Sequence, residues 1–471
     1  MRYISTRGEA PPLDFIEVML AGLAADGGLY VPEAWPVLSP ELMAGLTGRP
    51  YAEAAVEIVK PFAAGTFSEG ELLRMAQEAY GTFRHPAVVP IVQLSPSGFL
   101  LELFHGPTLA FKDLAMQLLA RMMDDVLRRR GERATIVGAT SGDTGGAAIE
   151  AFRGRSQVDV VILYPHGRIS EVQRRMMTTP QDDNVHAIAI EGTFDDCQAL
   201  VKAMFGHRAF RERARMSGVN SINWARIVAQ VIYYFVAAAA LGAPHRRLAF
   251  TVPTGNFGDV FAGYVASRMG LPIDRLVIAT NVNDILVRTL ATGAYELREV
   301  VATSSPSMDI QVSSNFERLL FDACGRDAHV VRAAMHALAQ SRRFSIPGPA
   351  LAEIRSRMTA GRADEAETAA MIRTVRRETG LTIDPHTAVA VAVAEKEHPD
   401  PSIPMVTLST AHPAKFPDAV EAACGVRPEL PEWLADLSQR KERMSVLPLD
   451  QGAVEKFILA RSRAAKEGAA A

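Results

Sequence analysis

The chain has 471 residues, of which 48% are hydrophobic and 22% charged, and its formal net charge is −3. This length exceeds what one hydrophobic core supports, so it predicts two or three domains. The charge balance excludes a strongly basic nucleic-acid-binding protein, and the three widely spaced cysteines give no disulfide framework and no Cys-x-x-Cys metal site.

No segment has the pattern of a secretion signal or a membrane span. The first residues lack the apolar core of a signal peptide. The longest apolar stretch, residues 228–241, is too short to cross a bilayer and is typical of a buried helix. The histidines form no paired metal-binding motif, so we expect no metal. We therefore expect a cytoplasmic protein with no membrane or nucleic-acid partner.

The predicted elements begin with a mostly helical region at residues 1–90. A short strand at 99–104 then leads through a loop to a helix, which Asp113 is expected to cap. The apolar spacing from Leu114 to Leu127 predicts that this helix is half-buried. Further strands are predicted from short apolar, β-branched runs at 134–140, 158–164, 185–190, 248–252, 275–280 and 405–409.

Strands that alternate with helices predict an α/β fold with largely parallel sheets covered on both faces. Residues 328–398 are predicted to be rich in helix, and the Ala-rich residues 460–471 are expected to fray. We divide the chain into an N-terminal domain and two further segments, which cover residues 1–90, 91–235 and 236–471.

Two Gly-rich turns follow predicted strands, at residues 140–145 and 254–259. Such turns lie at the carboxyl ends of parallel strands, where backbone N–H groups at a helix start attract anions. Neither turn has the P-loop or the dinucleotide-binding spacing, so ATP and nicotinamide cofactors are not supported. Each turn alone could be a simple tight turn, but together they predict two anion sites.

Lys112 lies where the loop of residues 105–113 becomes a helix. An exposed lysine at a helix start is the ordinary interpretation, but Pro107, Leu109, Ala110 and Phe111 surround this one with apolar groups. A desolvated lysine has a lowered pKa and can be a nucleophile. Pyridoxal 5′-phosphate requires one such amine for its aldehyde and one cradle for its phosphate, and its amino-acid substrate brings a carboxylate. The three features therefore favour a pyridoxal-phosphate enzyme.

These segments resemble the threonine synthase family, in the group with a long N-terminal domain. The resemblance runs nearly end to end. It implies the tryptophan-synthase-β-like fold of pyridoxal-phosphate enzymes, with largely parallel sheets flanked by helices and an N-terminal helical domain. It is carried by residues 3–8, 26–32, 105–113, 138–145, 252–259 and 408–416.

The resemblance also implies roles for particular residues. Lys112 matches the Schiff-base lysine, and Thr410 matches the hydroxyl at the pyridine nitrogen, with its neighbour Ser409 as the alternative. Asp143 stands where many relatives have Asn, so it would accept hydrogen bonds or be protonated. The loop that holds the cofactor phosphate is matched by Gly255, Asn256, Phe257 and Gly258. The loop that binds the substrate carboxylate is matched by Thr140, Ser141, Asp143 and Thr144.

The family reaction converts O-phospho-L-homoserine and water to L-threonine and phosphate. Two alternatives stay open: a phospho-lyase that releases 2-oxobutyrate, and a catalytically inactive relative that only binds ligands. The resemblance leaves the oligomeric state open, with a monomer as the working expectation. His412 is expected to be a structural histidine. The candidates for holding the substrate phosphate are Lys415, Asn315, Arg318 and Asn283.

Overall fold

The computed structural model describes residues 1–397 and 400–467. In this part of the chain, strands β1 to β15 are, in order, Tyr3–Ser5, Tyr30–Pro32, Ile91–Gln93, Gly98–Glu102, Ala134–Ala139, Val158–Pro165, Val185–Ile190, Met216–Ser217, Leu248–Pro253, Ile273–Thr280, Ala294–Glu296, Arg343–Ser345, Met358–Arg362, Met405–Ser409 and Ser445–Leu447. Helices α1 to α20 are Phe15–Ala21, Pro40–Ala44, Tyr51–Val59, Glu69–Tyr80, Lys112–Arg130, Asp143–Phe152, Glu171–Thr178, Phe194–Gly206, Arg208–Ala214, Trp224–Ala240, Gly258–Arg268, Ile285–Thr292, Phe316–Ala323, Ala328–Ser341, Gly348–Arg357, Glu365–Thr379, Pro385–Glu397, Pro417–Cys424, Gln451–Arg461 and Arg463–Glu467. Short 3-10 turns occupy Pro306–Met308, Pro413–Lys415 and Glu432–Leu434.

The N-terminal region consists of the antiparallel pair β1 and β2 and helices α1 to α4. Tyr3 in β1 is completely buried, and its hydroxyl donates a hydrogen bond to the carbonyl of Phe62 at 2.7 Å. Its ring centroid lies 5.9 Å from that of Trp224 at the start of α10. Aromatic packing therefore joins the N-terminal region to the central helices.

One sheet has six strands in the order β13-β10-β9-β14-β4-β3. All of its neighbours pair in parallel except β3 with β4, which is antiparallel. Because the carboxyl ends of parallel strands lie at one edge, the segments that follow β4, β9 and β14 meet there. These segments lead to Lys112, Gly255 and Thr410, so the topology brings three predicted site segments together.

A second sheet has five strands in the order β15-β7-β6-β5-β8, and all of its neighbours are parallel. Every residue of β6 is buried, as expected of a parallel strand that is covered on both faces. Strand β5 ends at Ala139, directly before the Gly-rich turn 140–145 and helix α6. The prediction of a largely parallel α/β fold is confirmed, and each predicted strand is present to within one or two residues at either end.

Helix α5 lies in the interior, so the prediction that it is half-buried is wrong. Every residue from Lys112 to Met123 is buried. The apolar spacing correctly identifies one buried face of the helix. The other faces carry small residues such as Ala115 and Ala120, which are also buried. The buried polar residues Gln117 and Arg121 are joined by a 2.7 Å hydrogen bond, while Nε of Arg121 has no hydrogen-bond partner among the described residues. Helix α10 packs against α5 and is also buried almost throughout, as predicted for residues 228–241.

The chain returns after β14 to the other sheet, where β15 pairs with β7. In helix α20, Ala464 and Ala465 are buried, and the Nε of Arg463 lies 2.7 Å from the carboxylate of Asp159 in β6. The predicted fraying is therefore wrong for residues 460–467, and residues 468–471 lie outside the described residues. The domain division at 90 and 235 stays a prediction, although both sheets draw strands from more than one of its ranges.

No helix in the described ranges is long and apolar enough to cross a membrane. Residues 1–397 and 400–467 also contain no group of three or more His, Cys, Asp or Glu side chains placed to hold a metal ion.

Candidate active site

The loop that presents Lys112 is fixed to the end of β14 by backbone hydrogen bonds. The N–H of Phe111 donates to the carbonyl of Thr410 at 2.9 Å, and the N–H of His412 donates to the carbonyl of Leu109 at 3.0 Å. Leu109 has a positive φ of 59°, which turns the loop sharply before the helix begins. The lysine loop and the Thr410 segment therefore form one unit, with Lys112 buried at its centre.

Asp113 does not cap the helix, contrary to the prediction. Its buried carboxylate accepts hydrogen bonds from the backbone N–H of Thr108 at 2.8 Å and the Thr108 hydroxyl at 2.6 Å. Burial raises the pKa of Asp113 to about 6, against the lowering effect of the Thr108 contacts. A Cβ at Gly106 would lie 2.6 Å from this side chain, so the loop requires glycine there. Asp113 thus stabilises the turn that precedes the lysine.

The carboxylate of Asp143 lies between two lysines. One oxygen is 2.7 Å from Nζ of Lys415, and the other is 3.4 Å from Nζ of Lys112. The amide of Gln173 donates to Asp143 at 3.0 Å, and the hydroxyl of Ser307 donates at 3.4 Å. Asp143 therefore acts as a hydrogen-bond acceptor from four side chains, one of the two states expected of an Asp at this position.

The charges of this cluster set its protonation states. Burial lowers the pKa of Lys112, and the nearby positive charges of Lys415 and Arg226 lower it further, against the opposing effect of Asp143. Burial alone would raise the pKa of Asp143, but the charges of Lys415 and Lys112 outweigh it and hold this pKa well below its usual range. The site thus combines an ionised carboxylate with an amine that loses its proton more readily than an exposed lysine. Such an amine can act as a nucleophile and a base.

The first Gly-rich turn joins β5 to α6. The hydroxyl of Thr140 accepts hydrogen bonds from the N–H groups of Gly142 and Gly145, both at 2.9 Å, and so closes the turn. No hydrogen bond within the described ranges uses the N–H groups of Ser141, Asp143 or Thr144. Three backbone donors at a helix start are therefore free for an anionic ligand.

The second Gly-rich turn joins β9 to α11. The Ser313 hydroxyl donates to the carbonyl of Gly255 at 2.5 Å, and the Asn315 amide donates to the carbonyl of Asn256 at 2.9 Å. Phe257 has a positive φ of 66° immediately before the helix. Across the described residues, the N–H groups of 255, 256, 257 and 258 have no acceptor. This turn is a second free anion cradle.

Ser307 connects the two turns. Its hydroxyl contacts Asp143 of the first turn, and its carbonyl oxygen would lie 2.4 Å from a Cβ placed on Gly255 of the second. Any side chain at residue 255 would displace this carbonyl. The contact brings the two anion cradles together around Lys112.

The hydroxyls of Ser409 and Thr410 face different surroundings. The Ser409 hydroxyl is buried and lies 3.0 Å from the hydroxyl of Thr387 in α17. The Thr410 hydroxyl has no hydrogen-bond partner in the part of the chain that the structure describes. A free hydroxyl beside the lysine loop favours Thr410 as the group that contacts the pyridine nitrogen, and this role stays a prediction.

Of the four candidates for the substrate phosphate, only Lys415 lies in the site. Arg318 is completely buried and donates to the carbonyls of Tyr30 at 3.0 Å and Ile222 at 2.6 Å. Asn315 supports the second turn, and Asn283 donates to the carbonyl of Val301 at 2.8 Å. These three side chains are therefore occupied by the protein itself.

His412 has the structural role that was predicted. Its Nδ1 accepts a hydrogen bond from the N–H of Ala414 at 3.2 Å at the start of a 3-10 turn. Burial lowers the pKa of His412 to about 4, and the neighbouring His105 lowers it in the same direction. The side chain is therefore neutral near pH 7.

Three residues of the site were not predicted from the sequence: Gln173, Ser307 and Arg226. Arg226 is 2% exposed, its NH1 donates to the carbonyl of Val219 at 3.1 Å, and its Nε has no partner. Among the described residues no carboxylate forms an ion pair with it, and burial lowers its pKa to about 10. Arg226 is the single charged residue of helix α10, and this was the available signal.

Asp259 lies at the start of α11, beneath the second turn. Its carboxylate accepts hydrogen bonds from the hydroxyls of Tyr233 and Tyr234, and its second oxygen has no partner. Burial raises the pKa of Asp259 to about 7, although both tyrosine contacts and the charge of Lys112 lower it. The pKa of Asp259 is therefore far above that of an exposed aspartate.

The residues present fit pyridoxal 5′-phosphate. Lys112 offers a buried amine with a lowered pKa, and the turn at 255–258 offers four free N–H groups for a phosphate. A parallel α/β fold with these two features defines a pyridoxal-phosphate-dependent enzyme, and the family model described as pyridoxal-phosphate dependent enzyme matches residues 87–410. The predicted fold class and cofactor are confirmed.

The particular family follows from the rest of the chain. The model for the threonine synthase N terminus matches residues 2–80, and the model for the threonine synthase C-terminal region matches residues 387–458. The threonine synthase of Pseudomonas aeruginosa is 53% identical over 97% of this chain and 98% of its own length.

Two solved structures agree with this assignment. The pyridoxal-phosphate-bound threonine synthase of Brucella melitensis is 60% identical, with a TM-score of 0.97 over 98% of this chain and all of its own. Yeast threonine synthase is 38% identical, with a TM-score of 0.93 over 98% of both chains. The chain belongs to the threonine synthase family, as the sequence predicted.

Proposed function

We propose that the chain converts O-phospho-L-homoserine and water to L-threonine and inorganic phosphate. Family membership supports the reaction class, and one observation supports the phosphorylated substrate. Arg226 is a buried cation without a carboxylate partner among the described residues, and its positive charge lowers the pKa of Lys112. A buried charge without a counterion is costly, so it suits a site whose ligand brings the negative charge. The two turns account for the cofactor phosphate and the substrate carboxylate, and Arg226 serves the substrate phosphate.

Lys112 performs the proton transfers of this reaction. Its Nζ would hold the cofactor, and with the substrate amino group in its place the lysine would be a free amine next to Cα. The bound cofactor supplies an electron sink for the charge that develops when Cα loses its proton. Because burial lowers the pKa of Lys112, the amine is a competent base for this proton.

The remaining steps follow from the same geometry. The proton lost from Cβ leaves with the phosphate that Cγ expels, and Lys112 delivers to Cγ the proton that it took from Cα. Water then adds its hydroxyl to Cβ, and the remaining proton of that water returns to Cα. Atoms balance, because one water is consumed and one phosphate is released. The charge of Lys415, against the opposing effect of burial, still lowers the pKa of Asp143 when Lys112 is a neutral amine.

The test is a product assay on the purified protein loaded with pyridoxal phosphate. We expect phosphate and threonine in equal amounts from O-phospho-L-homoserine, and no turnover by Lys112→Ala. Lys396→Ala, which changes an exposed lysine, is the matched control and should retain full activity. Release of 2-oxobutyrate and ammonia as the main products would instead identify a phospho-lyase.

A second assay tests the alternative that the chain is a catalytically inactive relative that only binds ligands. The loaded protein should absorb near-visible light and yield a borohydride-reducible adduct that Lys112→Ala abolishes. A protein that stays colourless with added pyridoxal phosphate would contradict the cofactor role of Lys112. We also propose a cytoplasmic monomer, which sedimentation analysis and cell fractionation would test.

A further inference from the structure

A series of buried, hydrogen-bonded residues connects the start of α17 to the active site. Asp384 directly precedes this helix, and its side chain is completely buried. One carboxylate oxygen accepts from the backbone N–H of His386 at 3.0 Å and lies 2.6 Å from Nδ1 of the same residue. The His386 side chain is 4% exposed. Neither residue belongs to the anion cradles or contacts Lys112.

These contacts define the tautomer of His386. Because Nδ1 donates its proton to Asp384, the neutral ring has an acceptor at Nε2. The backbone N–H of Ser307 donates to this Nε2 at 3.2 Å. Only the neutral ring with the proton on Nδ1 satisfies both partners. Asp384 therefore fixes His386 as an acceptor for Ser307.

Ser307 is the residue that joins the two anion cradles. Its hydroxyl contacts Asp143, and its carbonyl occupies the space above Gly255 where a Cβ would stand. The Ser307 N–H is bonded to His386, so the histidine determines where this peptide lies. A shift of Ser307 would move its contacts with both cradles together.

The same carboxylate also supports the end of β14. Its other oxygen accepts from the N–H of Thr387 at 3.0 Å and from the Thr387 hydroxyl, which lies 3.0 Å from the hydroxyl of Ser409. Ser409 directly precedes Thr410, the predicted partner of the pyridine nitrogen. Asp384 is therefore linked to the site by two sets of hydrogen bonds. One set runs through Thr387 to Ser409, and the other runs through His386 and Ser307 to the anion cradles.

We propose that His386 is a positioning residue, which sets Ser307 against Gly255 and Asp143 and so fixes the spacing of the two anion cradles. It touches neither cofactor nor substrate. Its contribution is to cofactor affinity and to the binding of substrate in the assembled site. The kinetic part of this inference rests on the proposed function, whereas the affinity part requires only the cofactor.

Two substitutions separate the contacts of His386. A glutamine at 386 places an amide oxygen where Nε2 lies, so His386→Gln retains an acceptor for Ser307 and loses the donor to Asp384. An asparagine places an amide where Nδ1 lies, so His386→Asn retains the donor and loses the acceptor. If His386 merely stabilised the fold, His386→Gln would be the more damaging change, because hydrogen bonds to a carboxylate are the stronger ones. The proposal predicts the opposite order.

The first measurement is the dissociation constant for pyridoxal phosphate, from absorbance titration of protein freed of cofactor. We expect His386→Asn to weaken binding on the order of tenfold, and His386→Gln by no more than about twofold, as loss of one hydrogen bond implies. Equal losses in both variants, or unchanged affinity in His386→Asn, would overturn the proposal. If His386→Asn does not fold, His386→Gln decides alone: affinity within about twofold supports it, and a tenfold loss refutes it.

Thermal unfolding of the same cofactor-free proteins measures separately how much His386 contributes to the stability of the fold.

With O-phospho-L-homoserine, His386→Asn should raise KM about fivefold at saturating cofactor and leave kcat within about threefold. If the wild type makes no threonine, the proposed function fails while the affinity titration still tests His386.

Discussion

Lys415→Met should destabilise the protein more than any exposed lysine substitution, because Lys415 is one partner of a buried ion pair. Its side chain is 1% exposed, and Nζ lies 2.7 Å from Asp143 and 2.7 Å from the carbonyl of Thr108. At this distance two unit charges attract by about 6 kcal/mol at an effective dielectric constant of about 20. Desolvation of the two charges offsets much of this attraction.

The net loss of unfolding free energy depends on which partners Asp143 retains after the substitution. Removing one partner of a buried pair costs about 3–5 kcal/mol when the other charge is left alone. Asp143 retains Lys112 at 3.4 Å and Gln173 at 3.0 Å, so we expect the lower end of that range, about 3 kcal/mol. The free energy of unfolding in urea, measured on the cofactor-free protein, gives the value.

The matched control is Lys396→Met. Lys396 lies 2.6 Å from Glu367, but both side chains are more than 40% exposed, at 47% and 43%. Exposed pairs contribute roughly 0–1 kcal/mol, so this variant should remain near the wild type. In an Asp143→Asn background, Lys415→Met should cost about 2 kcal/mol less than in the wild type. A loss below about 1 kcal/mol for Lys415→Met, or one equal to the control, would refute the reasoning.

The same variant should change the chemistry of the amine. Burial is the largest cause of the lowered pKa of Lys112, and the charge of Lys415 adds to it. Without that charge the pKa of Lys112 rises, so attachment of pyridoxal phosphate should require a higher pH. An absorbance titration of cofactor attachment against pH would detect this upward shift, and a shift to lower pH would contradict the assigned electrostatics.

Three other predictions concern the surroundings of the amine. Since burial raises the pKa of Asp259 from 3.8 to about 7, the folded protein binds a proton that the unfolded chain lacks between these pH values. Its unfolding free energy should therefore fall as pH rises through this window, by up to about 1.4 kcal/mol per pH unit, and Asp259→Asn should reduce the slope in urea unfolding at pH 5 and 8. Gly255→Ala places a methyl group 2.4 Å from a carbonyl oxygen, so affinity for pyridoxal phosphate should fall on the order of tenfold, whereas Gly70→Ala, at an open helical position, should leave it unchanged. Arg226→Met should raise KM for O-phospho-L-homoserine on the order of tenfold while cofactor affinity changes less than about threefold, and the reverse pattern would assign Arg226 to the cofactor phosphate.

The sequence predicted the strands and turns because their signals are local. The run at 158–164 is apolar and β-branched throughout, and β6 indeed occupies Val158–Pro165. Strand β13, Met358–Arg362, lacks such a run, since its sequence is Met-Thr-Ala-Gly-Arg, and it fell inside a region predicted to be rich in helix. It forms because β10 offers a partner, which is a tertiary effect.

In the candidate site, too, local sequence patterns predict single segments but miss contacts between distant residues. The roles predicted for Lys112 and the two turns rest on short contiguous segments, and the structure brings these segments together. Ser307 and His386 act through one peptide contact between residues 79 positions apart, which no local pattern reveals. Asp113 looked like a helix cap because it lies next to the helix start, but the helix already begins at Lys112, and the buried carboxylate of Asp113 is bonded to Thr108.

The return of the chain to the five-stranded sheet has a consequence for synthesis on the ribosome. Strand β7 has no partner on one side until Ser445–Leu447 has been made, and β4 lacks its parallel neighbour until Met405–Ser409 emerges. Neither sheet can therefore be completed while the chain is still growing through its middle region. Unpaired strand edges of this kind favour wrong association, so a nascent chain stalled before residue 405 should be a stronger client of chaperones than one stalled after 447.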